Sequence, residues 1–168
     1  MLKSFNMAAS LVNPLFFGDE TMKPSNKMID EKTGRYLPVI YPEELPFWEA
    51  AKRRQLWLQK CNSCAKTFYP IGPACPDCFS MSFTWTQMSG RGVIHNYVIY
   101  HKPWTDWYKD KVPYAVIQVE IEEGPRLTAN LLDCPVHEIK IGMPVVADYE
   151  DITPEITLVQ FRRTDAKG

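Results

Sequence analysis

Four of the five cysteines in the 168-residue chain lie within eighteen residues of each other, at a spacing that is typical of a metal site. They form two Cys-x2-Cys pairs separated by ten residues that contain two prolines and one glycine, as expected of a tight connection. Two such pairs bring four thiolates into the tetrahedral arrangement that zinc prefers, and iron is the alternative metal. A redox dithiol or two disulfides would explain two matched pairs less well. We therefore predict one zinc ion bound by Cys61, Cys64, Cys75 and Cys78.

The predicted zinc is structural. Four protein ligands leave no open coordination position for water or substrate, so the ion is not expected to catalyse hydrolysis. Its expected contribution is folding free energy, about 10 kcal/mol in small zinc modules.

The fifth cysteine is the one free thiol that could serve as a nucleophile. Cys134 precedes His137 by three residues, and a cysteine–histidine pair can carry covalent catalysis. A buried structural cysteine beside an exposed histidine is the commoner arrangement. His95 lies in a predicted strand, where a packed or surface-facing position is the simpler expectation. We predict no catalytic residue among these three.

Other polar motifs also lack a catalytic arrangement. The carboxylate pairs Glu122-Glu123 and Glu150-Asp151 fall at expected strand ends or turns, where solvation accounts for them. The glycines of Gly90-Arg91-Gly92 precede a strand and not a helix, so they do not form a phosphate-binding loop. Catalysis is therefore expected on another chain.

One segment between two predicted strands, from Tyr100 to Lys111, alternates aromatic and basic side chains. Such a loop suits a protein interface, where Trp and Tyr are frequent anchors. It also suits coenzyme A, with rings stacked on adenine and lysines at the phosphates, or single-stranded nucleic acid. A purely structural loop is the remaining alternative. The candidate contact residues for coenzyme A or a partner are Lys102, Trp104, Trp107, Lys109 and Lys111.

Charge and composition restrict the classes of partner. Nineteen basic and twenty acidic residues give a net charge of -1, which supplies no overall field to attract nucleic acid or an anionic membrane. The clustered cysteines are unlike a secreted disulfide framework and favour a cytoplasmic protein. Asn13 and Pro14 interrupt the apolar residues near the N-terminus, so we predict neither a signal peptide nor a membrane span.

The elements that must position these residues fall into four stretches. Residues 1–41 show no sustained period and predict an extended arm, which either is disordered or docks on a partner through Leu15 to Phe17. Residues 42–57 predict a helix with a narrow apolar stripe at Phe47 and Trp48, closed by basic residues that complement its dipole. Residues 58–82 contain the metal knuckles, and residues 83–168 form the predicted barrel domain.

The C-terminal half shows only strand signals, apart from a short turn or helical segment from Val136 to Ile141. Five or six short strands in about eighty residues predict a small barrel or sandwich. The predicted strands are Phe83–Gln87, Gly92–Tyr100, Pro113–Glu122, Arg126–Leu132, Pro144–Tyr149 and Ile156–Arg162.

Nine short motifs occur in an order that is more specific than any one of them. They are Phe47–Ala51, Leu58–Cys61, Tyr69–Pro70, Cys75–Cys78, Ser89–Ile94, Pro113–Val116, Glu123–Gly124, Leu131–Cys134 and Ile141–Val145. In this order the chain, over roughly residues 42 to 163, resembles the zinc-ribbon/OB-fold accessory proteins encoded beside thiolases. The resemblance implies a mainly β protein with an N-terminal helix, a rubredoxin-like zinc ribbon and a C-terminal OB-fold barrel of five or six strands.

The same resemblance implies a function that the residues alone do not specify. We expect a non-catalytic accessory subunit of a thiolase-type enzyme that forms or thiolytically cleaves a carbon–carbon bond in an acyl-CoA. It would stabilise the catalytic subunit in a hetero-oligomer and shape the substrate pocket, with coenzyme A at the interface. One alternative is an accessory subunit of a CoA-ester hydratase or aldolase. Another is an OB-fold protein that binds single-stranded nucleic acid, which the net charge disfavours.

Overall fold

The computed structural model of the chain describes residues 28–164, so the proposed docking segment from Leu15 to Phe17 lies outside the described residues. The described part of the predicted arm folds back on itself. Ile29 and Tyr36 form a β-bridge, and the amide of Gly34, a residue with a positive φ of 69°, donates to the Asp30 carbonyl over 2.8 Å. Ile40 then enters the core at 1% exposure. Residues 28–36 therefore form a hairpin, and the connection that follows it reaches the core at Ile40.

The single α-helix of the described residues, α1, covers Leu45–Lys52 and follows a 3-10 turn at Pro42–Glu44. It is shorter than predicted, because Arg54 adopts a positive φ of 62° that ends the helical backbone. One face enters the core through Phe47, Trp48, Ala50 and Ala51.

Three antiparallel strands form the sheet that carries the metal site. They are β1 (Trp57–Cys61), β2 (Thr67–Phe68) and β3 (Phe83–Gln87), in the order β2-β1-β3. The strand pattern of the sequence predicts the third of these strands as the first strand of the barrel domain. Instead β3 pairs with β1 along its whole length, from Trp57 opposite Gln87 to Cys61 opposite Phe83. Strand periodicity identifies the segment as a strand and carries no information about which partner it will find.

Five strands close into a barrel in the order β4-β5-β6-β8-β7. The pairing of β6 with β8 is parallel and the other pairings are antiparallel. The predicted mainly β fold with a five- to six-stranded OB-fold barrel is thus confirmed, with five strands. Their bounds are Arg91–Tyr100 for β4, Tyr114–Ile121 for β5, Arg126–Leu132 for β6, Pro144–Asp151 for β7 and Thr157–Arg163 for β8.

A close approach between β4 and β5 requires glycine at position 92. A Cβ atom there would lie 2.4 Å from the carbonyl oxygen of Glu120 and 2.8 Å from Cγ1 of Val119. Neither a backbone oxygen nor a buried barrel side chain can move aside cheaply, so Gly92 permits the strand spacing at this point.

One hydrophobic core joins the barrel to the helix and to the first ribbon strand. Its barrel part includes every second residue of β5 and the fully buried Phe161. Phe47, Trp48 and Leu58 belong to the same cluster, so helix, ribbon and barrel share one interior. Among residues 28–164, no helix is long and apolar enough to cross a membrane. The buried residues of β5 are Ala115, Ile117, Val119 and Ile121.

Candidate metal centre and the aromatic loop

The four clustered cysteines converge at one end of the ribbon sheet. Their Sγ atoms all lie within 4.8 Å of one another, with 3.5 Å between Cys61 and Cys78 and 3.7 Å between Cys64 and Cys75. A zinc ion at its usual distance from four thiolates would hold the sulfurs roughly 3.8 Å apart. Cys61 and Cys75 are buried, whereas Cys78 is exposed. The four cysteines are therefore positioned to bind a metal ion.

Two equivalent backbone turns build the centre, one for each cysteine pair. The amide of Ala65 donates to the Cys61 carbonyl over 3.0 Å, and the amide of Phe79 donates to the Cys75 carbonyl over 2.9 Å. Ala65 and Phe79 adopt the same left-handed conformation, with φ of 62° and 60°. The turns close when the amides of Cys61 and Cys75 donate to the carbonyls of residues 66 and 80 over 2.8 and 2.9 Å.

The environment of the thiols favours one negative charge in the cluster before a metal binds. A hydrogen bond from the backbone N–H of Cys64 lowers the pKa of Cys61 to about 6. A hydrogen bond from the backbone N–H of Ser80 also lowers the pKa of Cys78. The hydrogen bond between Cys78 and Cys61 and the desolvation of the Cys78 thiol outweigh it, and they raise the pKa of Cys78 to about 12. A bound divalent cation would stabilise the thiolate form of all four ligands.

A small apolar cluster supports the metal centre from inside the ribbon. Phe68 packs edge-on against Phe83, with ring centroids 6.1 Å apart and planes at 88°. The two buried ligands, Cys61 and Cys75, belong to the same cluster. The strands β2 and β3 therefore fix the metal ligands through packing as well as through backbone hydrogen bonds.

The aromatic loop comprises residues 101–113 and joins β4 to β5. Three stacked tyrosine rings, two on the flanking strands and one in the loop, lie at its base. Tyr114 lies between Tyr100 and Tyr108, with ring centroids 5.1 and 4.2 Å away and nearly parallel planes. The 3-10 turn at Asp106–Tyr108 brings the third ring back onto the strand. These stacked rings contact each other, so they organise the loop from inside the chain.

The five candidate contact residues of this loop differ in the contacts that they make within the chain. Lys111 places Nζ 2.8 Å from the centroid of the Trp107 ring, and Lys109 forms an ion pair with Asp106 over 2.8 Å. Trp104 is 71% exposed, and Lys102 is exposed as well. Trp107, Lys109 and Lys111 thus have partners within the chain. Lys102 and Trp104 are exposed, and Lys109 and Lys111 are exposed as well although each of these two also contacts a group of the loop.

Arg35 from the N-terminal hairpin also belongs to this region, although no local sequence pattern indicates it. Its guanidinium carbon lies 5.1 Å from the centroid of Trp107, and its two terminal nitrogens donate to the carboxylate of Glu150 over 2.6 and 2.9 Å. Gln160 also donates to Glu150, over 3.2 Å. The hydrogen bond from Arg35 lowers the pKa of Glu150.

The expectation that Glu150 and Asp151 are simply solvated is therefore wrong. Asp151 accepts hydrogen bonds from Arg54, at 3.0 Å for one nitrogen, and from the Thr157 hydroxyl over 2.6 Å. Arg54 lies beyond the end of α1 and contacts Asp151 at the end of β7. Its position is therefore explained by this ion pair and not by interaction with the helix dipole. No local pattern could have found these pairs, because their members lie 97 and 115 residues apart.

The geometry around Cys134 does not activate it as a nucleophile. Its thiol, which is half-buried, lies 3.7 Å from the carbonyl oxygen of Pro135, and burial raises its pKa. A reactive cysteine needs the opposite shift. His95 is on the outer face of the barrel, with Nδ1 3.8 Å from the carboxylate of Glu120.

The fold and the cysteine cluster define a class of protein, a metal-binding ribbon joined to an OB-fold barrel, and family models agree. The model described as "ChsH2, rubredoxin-like zinc ribbon domain" matches residues 48–84. The model described as "ChsH2, C-terminal OB-fold domain" matches residues 85–150. The two matches meet within β3.

Several curated proteins are similar to this chain. A probable enoyl-CoA hydratase alpha subunit from Thermomonospora curvata is 38% identical over 131 residues, which cover 78% of this chain and 40% of that protein. A DUF35 domain-containing scaffold protein from Methanothermobacter thermautotrophicus is 36% identical over 105 residues, covering 62% of this chain and 78% of that protein. The 3-oxo-4,17-pregnadiene-20-carboxyl-CoA hydratase alpha subunit of Mycobacterium tuberculosis is 31% identical over 105 residues.

Solved structures show the same likeness. A chain of the structure named Ltp2-ChsH2(DUF35) aldolase superimposes with a TM-score of 0.68 at 38% identity, covering 76% of this chain and 98% of that one. A DUF35 protein from Sulfolobus solfataricus, with a TM-score of 0.53 at 15% identity, shares the fold. The chain belongs to the ChsH2 (DUF35) family, as the resemblance predicted. It spans 40% and 33% of the lengths of the two hydratase subunits.

Proposed function

We propose that this chain is a non-catalytic accessory subunit of an enzyme that acts on an acyl-CoA, and that the partner is a hydratase or an aldolase. The observation that carries the proposal is the 38% identity to a chain of the Ltp2-ChsH2(DUF35) aldolase, 98% of which is covered. Two curated relatives are named as subunits of CoA-ester hydratases. These names support the alternative reading of the sequence better than the thiolase-type reading.

The residues of the chain support an accessory role in a second way. The one free thiol outside the metal cluster is half-buried and has a raised pKa. The arginines and carboxylates that flank the aromatic loop neutralise each other, as Arg35 and Glu150 do. The chemistry that a hydratase or aldolase requires, acid–base catalysis beside a thioester, is therefore assigned to the partner.

The metal centre would act as a scaffold in such a complex. We infer that Cys61, Cys64, Cys75 and Cys78 bind a structural zinc ion, because the sulfur separations of 3.5 and 3.7 Å suit a tetrahedral S4 site. When bound, zinc supplies four metal–thiolate bonds that hold the two knuckles together. The ribbon shares its core with α1 and the barrel, so its rigidity extends to the whole unit.

The exposed part of the aromatic loop is the proposed region of contact with the partner or with coenzyme A. The ring of Trp104 is exposed, and Lys102, two residues before it, carries a positive charge that can bind a phosphate. Trp107, Lys109 and Lys111 would support this region from within, since they already contact other groups of the chain.

The test begins with isolation of the complex. The tagged full chain is expressed in the organism that encodes it, and the co-purifying protein is identified by mass spectrometry. The isolated complex is then assayed for hydration of an enoyl-CoA, for retro-aldol cleavage of a 3-hydroxyacyl-CoA and for thiolysis. Activity in one of the first two assays supports the proposal. A partner with thiolase activity would restore the original expectation, and purification without any CoA enzyme would overturn the accessory role.

Binding to single-stranded nucleic acid is tested separately with the purified chain. Filter binding to a single-stranded oligonucleotide at 50 and 200 mM salt would show tight, strongly salt-dependent retention if an OB-fold groove binds phosphates. Weak retention at both salt concentrations is expected, because most of the basic groups around the aromatic loop have partners within the chain.

A further inference from the structure

The two most exposed large apolar side chains of residues 28–164 are two positions apart, one inside the second cysteine knuckle and one just after it. Phe79 is 80% exposed and Met81 is 75% exposed. We call these two residues the knuckle tip. The ring and the thioether extend into solvent beside Cys78, the exposed member of the metal cluster. Exposed apolar groups that lie close together on a surface mark interaction sites more often than scattered single ones do.

The metal site itself does not require an aromatic residue at position 79. Phe79 has a φ of 60°, a conformation that is rare for bulky residues and that glycine adopts at no cost. The equivalent residue of the first knuckle is Ala65, which has a φ of 62° and donates the same hydrogen bond to the first cysteine of its pair. A methyl group therefore satisfies the turn. The benzyl group of Phe79 is an addition at a strained position, and such outliers point to function.

The ring of Phe79 also makes no contribution to the interior of the ribbon. The apolar cluster under the metal site contains Phe68, with Phe83 packed against it, and these two rings contact each other. Phe79 is outside this cluster. The apolar cluster under the metal site is thus formed without the knuckle tip.

Neutral polar groups surround the tip. Asn62 donates to the hydroxyl of Ser82 over 3.0 Å, and Ser63 donates to the hydroxyl of Ser80 over 2.8 Å. The charged groups of the knuckles, Lys66 and Asp77, form an ion pair with each other over 2.5 Å. Nucleic acid and anionic membranes both need unpaired cations. An uncharged apolar surface of another protein is the complementary surface.

We infer that the knuckle tip, Phe79 with Met81, inserts into an uncharged apolar pocket of the catalytic subunit, an inference that rests on the accessory function proposed above. Aromatic residues and methionine are enriched at the buried centres of protein interfaces. The two backbone hydrogen bonds of the knuckle hold the tip in place before binding, and a metal ion bound by the four cysteines would reinforce them. Little conformational freedom is then lost when the complex forms.

The test measures the affinity of the full chain for its isolated catalytic subunit by calorimetry. The variants are Phe79→Ala and the double variant Phe79→Ala with Met81→Ala, and the control is Ile141→Ala, which removes a side chain that is 70% exposed near the barrel. We expect Kd to rise about 30-fold or more in the double variant, as for an interface hot spot, and to stay within about twofold in the control. Metal content should stay at the wild-type value, because alanine already occupies the equivalent turn.

Three results would overturn the inference, and they are distinguishable. An unchanged Kd in the double variant, with the wild-type complex intact, removes the knuckle tip from the interface and leaves the proposed function standing. Failure of the wild-type chain to bind any CoA enzyme removes the proposed function and the inference together. Sedimentation of the chain alone provides the third, since a wild-type dimer that Phe79→Ala dissociates would assign the tip to a second copy.

Discussion

Arg35 and Glu150 join the N-terminal hairpin to the barrel through two parallel hydrogen bonds of 2.6 and 2.9 Å. The arginine is 12% exposed and the glutamate 34% exposed, so the pair is partly shielded from water. The same guanidinium lies over the ring of Trp107. One residue of the hairpin thereby holds both β7 and the aromatic loop.

We expect Arg35→Ala to lower the free energy of unfolding by about 1–3 kcal/mol, because it leaves a half-buried carboxylate without its charged partner. Urea unfolding followed by circular dichroism measures the change. Lys102→Ala, which removes an exposed cation from the same loop, is the control and should change stability by less than about 0.5 kcal/mol. If the double variant Arg35→Ala with Glu150→Gln loses the sum of the two single losses, the residues do not interact.

The ion pair also predicts a dependence of stability on pH. The hydrogen bond from Arg35 holds the pKa of Glu150 below the usual value of 4.5, so folding favours the ionised carboxylate. The contribution is fully present above the unfolded pKa and is lost as the pH falls through the lowered folded pKa. Unfolding measured between pH 7 and pH 3 should show a steeper loss below about pH 4.5 for the wild type than for Glu150→Gln. Equal slopes would contradict the assignment.

Substitution of a metal ligand should separate the two kinds of cysteine. Cys61→Ser is expected to release the metal and to cause loss of the folded ribbon, because Cys61 is buried and belongs to the cluster with Phe68. Cys134→Ser should keep the wild-type metal content and keep the activity of the assembled complex. Atomic absorption after gel filtration measures the metal, and it also distinguishes zinc from iron. Turnover that falls sharply in Cys134→Ser with assembly intact would identify Cys134 as catalytic.

Closure of the barrel should depend on Gly92. Gly92→Ala places a methyl group 2.4 Å from the Glu120 carbonyl oxygen, so we expect a loss of about 3 kcal/mol or more, or failure to fold. Gly72→Ala is the matched control, because nothing lies within 4 Å of the added carbon. Thermal unfolding of the two variants gives the comparison. Similar melting temperatures for both would show that β4 and β5 can move apart.

The two tryptophans of the aromatic loop should differ in what they stabilise. Trp107→Ala removes the ring that contacts Arg35 and Lys111, and we expect it to lower stability by about 1–2 kcal/mol. Trp104→Ala should leave stability unchanged, since that ring is 71% exposed, and should weaken binding to the catalytic subunit. Urea unfolding of the free chain and calorimetry with the partner measure the two effects. Equal stability losses would show that Trp104 also packs within the chain.

Much of the fold could be predicted because its signals are local. Two Cys-x2-Cys pairs with a proline-containing connection indicate a metal site, and short alternating segments indicate the strands of a small barrel or sandwich. The resemblance to zinc-ribbon/OB-fold proteins favours the barrel. The boundary of the barrel could not be predicted. Phe83–Gln87 has the same alternation whether it pairs with β1 or with a barrel strand, and the pairing is decided by the register with Trp57–Cys61.

The candidate site divides in the same way. Residue type and short spacing are enough to specify the four clustered cysteines and the aromatic composition of the loop. The tertiary structure was needed to show that Arg35 meets Glu150, and that Trp107 contacts other groups of the chain while Trp104 stays exposed. The physical reason is that ion pairs and ring contacts between distant residues depend on how strands and hairpin pack, and no periodicity along the chain records that packing.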